Sequence, residues 1–282
     1  ELKKNKGSTS LKFREKMSRL AFGETAYYDA VISNYFNKFN NINFPKRKIL
    51  YTNLIENLRY GENPHQVGAF YSQNIKNKLE QLHGKTLSYN NYSDIFAALT
   101  ISKSLPKNTG TAIVKHGNPC GVSALKNNLD SYKSALESDP ISAFGGIISC
   151  NYKITQKLAL ILNKIFLEVI VADGFEKKAL KILKSKKNLR LIDSSKITFN
   201  EIWKFNSVDN FTLIQSEDRK IFSKKDFRIV SKKKPNKSQL DNLMFAFNVC
   251  RYAKSNAIVL ASNKLSLIHI SEPTRPLYVS YA

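Results

Sequence analysis

Between residues 93 and 192 the chain alternates between helical periodicity and short apolar, β-branched runs, and this restricts its fold more than any other feature. A helix over residues 93–104 precedes the run Thr111, Ala112, Ile113, Val114, and a short helix over 130–137 precedes residues 146–150. A helix over 155–166 leads to EVIVA at 168–172, and another over 176–185 leads to residues 189–192. Helix and strand alternating in this way predict an α/β layered domain.

The flanks read differently. Residues 9–36 carry Leu11, Phe13, Met17, Leu20, Phe22, Tyr28, Val31, Ile32 and Phe36 near helical spacing, which predicts an amphipathic helix. The Asn-rich stretch 37–48, with Pro45 and a basic cluster, breaks that periodicity and sets a boundary. Beyond residue 192 comes a less regular lysine-rich stretch. It is followed by a helix over 238–254, with Leu240, Leu243, Met244, Phe247 and Cys250 on one face, and a strand over 257–260. The last segment, SLIHISEPTRPLYVSYA at 266–282, departs from this texture because lysine and asparagine largely stop. It closely resembles the in-frame translation of a sequencing-library adapter and is set aside from fold and function.

A chain of 282 residues, 42% of them hydrophobic, can bury one large core or two smaller ones. No stretch approaches the roughly 18 consecutive apolar residues of a membrane span, and no apolar segment follows the first lysines. The expectation is a soluble, cytoplasmic protein with no membrane partner. Cys120, Cys150 and Cys250 are odd in number, far apart and never in a C-x-x-C pair, so reduced thiols are expected rather than a disulfide framework. Lys and Arg number 45 against 22 Asp and Glu, a net charge of +23. That charge suits nucleic acid, phosphorylated ligands or polyanionic cofactors alike. The basic runs at 184–187 and 231–235 read as solvated surface, and a biased genome composition gives the same scatter.

Three polar, glycine-bearing loops end predicted elements: LRYGENPHQ (58–66), KHGNPCG (115–121) and ESDPISAFGG (137–146). Ligands bind at the carboxyl ends of strands in α/β sheets, so these loops are candidate site walls. Lys115 and His116 leave a strand on opposite faces unless the chain turns, and Gly117 lets it turn at once. A histidine can then take a proton from an attacking amine or hydroxyl while a lysine steadies a developing oxyanion, which allows acyl or formyl transfer without metal. On the dipeptide alone, a surface lysine beside a structural histidine fits equally well. Cys120 is expected to be a small buried thiol rather than a nucleophile served by His116. A zinc site of the H-x-E and P-C-x-x-C kind is rejected, because Asn118 stands where the glutamate belongs and no second thiol follows Cys120. The chain has no G-x-G-x-x-G, G-x-x-x-x-G-K-[ST] or G-x-S-x-G. Arg59 suits a bidentate contact to phosphate or carboxamide and Tyr60 can stack on a ring; His65 reads as structural.

Six segments, LRYGENPHQ, LSYNNYSDIFAAL, KHGNPCGVS, SDPISAFGG, EVIVA and KSNAIVLA, occur in an order and spacing that resemble the bifunctional AICAR transformylase/IMP cyclohydrolase family of purine synthesis. AICAR is 5-aminoimidazole-4-carboxamide ribonucleotide. The resemblance implies a three-layer α/β/α domain of cytidine deaminase-like repeats, preceded by the C-terminal helices of a cyclohydrolase domain. It divides the chain into 1–45, the cyclohydrolase end and linker; 46–261, the first half of the transformylase domain; and 262–282, the foreign tail. It further implies formyl transfer from 10-formyltetrahydrofolate to the 5-amino group of AICAR, the parent also cyclising the product, FAICAR, to IMP. By the same resemblance Lys115, His116 and Asn256 are the catalytic positions. Arg59, Tyr60, Gly61, Asn91, Ile141, Phe144, Gly145 and Glu168 are then the AICAR-binding positions, with Glu168 standing where some relatives have aspartate. No metal and no nucleic-acid partner are implied, and the intact protein is expected to be a homodimer. The competing readings are an inert fragment and a basic nucleic-acid-binding protein.

Overall fold

In the computed structural model, residues 1–74, 79–199, 203–253, 257–262 and 265–269 are described. The chain divides into two compact units, Glu1–Glu56 with Phe70–Lys76, and Asn57–Ala69 with Asn77–Ala282. The first is built on helix α1 (Leu11–Phe39), whose start is fixed by Ser10, the side chain of which accepts from the Phe13 amide. Ala30 is its one fully buried side chain, and most of its apolar stripe is exposed. Asn53 donates to the Tyr27 hydroxyl at 3.0 Å, and Tyr51 meets the Tyr27 ring edge-on. Strands β1 (Asn53–Leu58) and β2 (Gly68–Ser72) form a two-stranded sheet, and the chain passes from one unit to the other within it.

The second unit is α/β. Its elements are β3 (Glu80–His83), α2 (Tyr89–Ser104), β4 (Gly110–Lys115), β5 (Asn118–Ala124), α3 (Asn128–Ser138) and α4 (Pro140–Ala143). They continue as β6 (Ile147–Cys150), α5 (Gln156–Leu162), β7 (Val169–Ala172), α6 (Lys177–Leu183) and β8 (Arg190–Asp193). Last come β9 (Trp203–Val208), β10 (Phe211–Ser216), α7 (Lys237–Cys250), β11 (Ile258–Ser262) and β12 (Leu265–His269). Eight strands form a mixed sheet in the order β11-β12-β5-β4-β6-β7-β8-β3. Strands β6, β7 and β8 are parallel, and β4 runs antiparallel to both β5 and β6. The central strands β6 and β7 are buried along their whole length, which is why they read as unbroken apolar runs.

Helices cover both faces. Ile113, Ile148 and Ile170 point to the side packed by Tyr132 and Ala135 of α3, Leu158 and Leu162 of α5, and Ala179 and Leu183 of α6. Their neighbours Ala112, Val114, Val169 and Val171 point the other way, onto Ile95, Ala98 and Leu99 of α2 and Val249 of α7. Each such isoleucine, leucine or valine contributes about 1.5–3 kcal/mol by leaving water.

The structure adds strands that the sequence reading left out. The stretch read as a loop at 115–121 is instead the turn and second arm of a hairpin, β5 pairing with β4 from Asn118 onward. Pro119 and the extra residue Cys120 sit at a shift of register between Ile113 and Val114, a bulge where proline is tolerated. The lysine-rich stretch holds a second hairpin, β9–β10, closed by Asp209 and Asn210. β12 lies within 262–282, the segment set aside as foreign, and pairs with β11 and β5. Among the described residues no helix is long and apolar enough to cross a membrane.

Burial pushes the Cys150 thiol and the Tyr132 hydroxyl each up to about 12. Burial, then the nearby Asp139 carboxylate, pushes the Cys120 thiol up to about 11. Unfolded thiols and phenols titrate near about 8.5 and 10, so at alkaline pH the folded chain holds more protons than the unfolded one. The stabilisation is therefore complete below about pH 8.5 and is lost as pH rises from there through about 12, at up to ~1.4 kcal/mol per pH unit for each group ionised only when unfolded. We expect the urea midpoint of this unit to fall between about pH 8 and 10.5; an unchanged midpoint would show that these groups do not resist ionisation.

Candidate functional site

The β4–β5 hairpin sets the centre of the site. Lys115 pairs with Asn118, leaving His116 and Gly117 as a two-residue turn with φ of 55° and 72°. Positive φ at both central positions is the mark of a type I′ turn, which matches the twist of the flanking strands. Gly117 adopts it freely, whereas for His116 the left-handed region costs about 1–2 kcal/mol. The carboxylate of Asp94, on α2, offsets that cost: Oδ2 accepts from the His116 amide at 3.2 Å and Oδ1 from the Gly117 amide at 2.6 Å. The His116 side chain is left exposed. Lys115 reaches the next turn, its Nζ donating to the Phe144 carbonyl at 2.9 Å.

That second turn follows α4, which Asp139 caps by accepting from the Ser142 amide at 2.9 Å. Gly145 has φ 74° and donates to the Phe166 carbonyl, while the Phe144 and Phe166 rings lie 5.2 Å apart. Ile141 and Phe144 stand well out in solvent, at 86% and 58% exposure.

A third group of residues surrounds the start of α2. Ser88 and Asn91 form a capping box, and the remaining amide of Asn91 donates to Glu168 Oε2 at 2.9 Å. Arg190, at the start of β8, lies 3.9 Å from the same carboxylate oxygen. Burial draws its guanidinium below the usual arginine range, Glu168 opposes this, and the like charge of Arg59 adds to it. Arg59 donates to the Tyr60 hydroxyl at 3.0 Å and lies over the Tyr60 ring. Asn90 donates to the Glu62 carbonyl at 3.2 Å, which ties the loop 58–66 to α2. The loop closes on itself, Gly61 donating to the Gln66 carbonyl at 2.9 Å.

The family description "AICARFT/IMPCHase bienzyme" matches residues 1–269. The chain belongs to the AICARFT/IMPCHase bienzyme family. Proteins named bifunctional purine biosynthesis protein PurH are similar to it. That of Thermoanaerobacter sp. (strain X514) is 41% identical over 264 residues, covering 92% of this chain and 52% of its own length. Those of Caldicellulosiruptor saccharolyticus and Oceanobacillus iheyensis are each 39% identical, over 277 and 261 residues, covering 95% and 90% of this chain and 53% and 51% of theirs. The chain spans about half the length of the curated relatives it matches.

In this member of the AICARFT/IMPCHase bienzyme family the three groups lie along one end of the sheet, with α2 touching two of them. The sequence reading placed ligand loops at the carboxyl ends of strands; the 58–66 loop follows β1 in this way, but of the strands concerned in the eight-stranded sheet only β4 does. Glu168 precedes β7, Gly145 precedes β6 and Arg190 opens β8, so the parallel strands present their amino ends. Asn256 lies outside the described residues. Two residues escaped the sequence reading, Asp94 and Arg190. Asp94 had a signal, since it follows Asn91 by three positions and shares its helix face; Arg190 had none. A cavity of about 750 Å³ lies elsewhere, between residues 227–235, α7 and β11. Among the described residues its walls, including Val230, Leu243, Phe247 and Leu260, hold no histidine or carboxylate.

Proposed function

We propose that the intact protein serves IMP biosynthesis, and that this chain supplies nucleotide-binding and proton-transfer groups for formylation of AICAR. The observation that carries this reading is the Lys115–His116 pair, delivered by a two-residue turn at the sheet end where Asn91 and Glu168 meet. His116 takes the proton from the exocyclic amine as its nitrogen attacks the formyl carbon of 10-formyltetrahydrofolate. A new C–N bond forms to AICAR and the bond from carbon to the folate nitrogen breaks. Lys115 steadies the oxyanion between these events or protonates the departing nitrogen. Neither role needs a metal.

In this reading Arg59 contacts the phosphate or carboxamide, Tyr60 stacks on the ring, and Gly61 keeps the loop tight enough to approach the ligand. Asn91 and Glu168 take the ribose hydroxyls. Ile141, Phe144 and Gly145 form an open wall, and Asn256 orients the reacting atoms. Residues 1–45 are assigned to the end of the cyclohydrolase part and 46–261 to the first half of the transformylase part, so the groups that cyclise FAICAR to IMP are assigned to neither. The intact protein is proposed to be a homodimer.

Calorimetric titration of AICAR into the chain, after a melt has shown cooperative folding, tests the nucleotide site. Arg59→Ala removes a charge-assisted contact worth about 1.5–3 kcal/mol, so its affinity should fall by about 10- to 100-fold. Absence of AICAR binding by the folded wild-type chain, or binding that Arg59→Ala leaves unchanged, would overturn the assignment.

A further inference from the structure

We infer that Asp94 is a positioning residue for His116, holding the turn in the one conformation that presents the imidazole to AICAR; this rests on the formyl-transfer reading above. The turn exposes two consecutive amides, those of His116 and Gly117, and each is taken by a different oxygen of one carboxylate. Only a carboxylate does this with a single short side chain, because it offers two acceptors and no donor. Asparagine in its place would turn a donor toward one of the two amides. Both bonds use backbone, so neither imidazole nitrogen is consumed by them.

The same helix end makes two further connections. Asn90 holds the Glu62 carbonyl of the Arg59 loop, Asn91 holds Glu168, and Asp94 holds the His116 turn. One rigid element therefore sets the register between nucleotide-binding groups and the proposed base. The strained φ of His116 is kept where it is by a bond from outside its own hairpin. Without Asp94 the hairpin retains its strand pairing, yet the turn is free to relax and carry the imidazole away.

The test is NMR of histidine-labelled chain during AICAR titration, with calorimetric affinity measured alongside, for wild type, Asp94→Asn and Asp94→Ala. The chain has four histidines, and His116→Ala assigns the relevant ring signal. We expect AICAR to shift the His116 signal in the wild type. In Asp94→Ala the affinity should stay within about threefold while the ring shift falls to less than about half. Exchange of the Gly117 amide should quicken by about tenfold or more, the loss of a hydrogen bond to a charged acceptor. Asp94→Asn, which keeps the volume and one acceptor, should lie between. If Asp94→Ala does not fold, Asp94→Asn decides on the same readouts. AICAR binding with an unaltered His116 response and unaltered Gly117 exchange overturns the role of Asp94 alone. Failure of the folded wild type to bind AICAR overturns the formyl-transfer reading and this role with it.

Discussion

Gly121→Ala is expected to destabilise the sheet-bearing unit by at least about 3 kcal/mol, the upper end of what overpacking a core costs. β5 lies between β4 and β12, with Gly121 paired to Ile113 on one side and Leu267 on the other. Helix α3 crosses directly above it. A Cβ at this position would overlap the carbonyl oxygen of Ala135 and come within 3.0 Å of the Ser138 Cβ. The obstructing atom is backbone in the last turn of α3, so no side-chain rotation relieves it. The strand cannot retreat either, because strands flank it and the Val122 side chain fills the opposite face. Alanine for glycine ordinarily stabilises by about 0.4–1 kcal/mol through the unfolded chain, and the steric cost reverses that sign. Urea denaturation followed by circular dichroism reads the effect as a lower midpoint at similar slope. A midpoint equal to or above that of wild type would mean that α3 does not pack on β5 this closely.

The same glycine explains why β5 was hidden. Asn118, Pro119 and Gly121 are turn formers by type, and the sequence offers no means of telling a loop from a strand whose proline sits at a bulge and whose glycine admits a helix. Strands β6 and β7 were legible because burial on both faces leaves an apolar run with no competing interpretation. The β9–β10 hairpin was obscured by lysines and by side chains that are mostly exposed, although Asp209 and Asn210 are the residue types a two-residue turn favours.

The site was legible in proportion to how local its chemistry is. Lys115 ends an apolar strand and His116 follows it, so their adjacency was legible, whereas the direction of each side chain was only an expectation from Gly117. The pairing of Asn91 with Glu168 and the contact of Arg190 with the same carboxylate depend on strand order, which periodicity does not encode. Asp94 binds backbone rather than a complementary side chain, so no residue type elsewhere announces its partner.

His116→Ala and Arg59→Ala should separate transfer from binding. On the proposed reading of His116 as general base, formyl transfer by His116→Ala should fall by about 10²–10⁴-fold. Its AICAR affinity should change by no more than a few fold, because the exposed imidazole acts on a proton that moves only during the reaction. Arg59→Ala should reverse the pattern, since a contact made equally in the bound and transition states is lost from KM and Kd before it is lost from kcat. Single-turnover formation of formylated product from AICAR and 10-formyltetrahydrofolate, set beside calorimetric affinities, measures both. Lys115→Ala is a poorer probe, because it also removes the bond to the Phe144 carbonyl that anchors the second turn. Equal losses of rate and affinity in His116→Ala would assign the imidazole to ground-state binding and take the base away from this turn. A rate unaffected by His116→Ala, with Arg59→Ala still weakening AICAR, would keep the nucleotide site and require the proton to leave by another group.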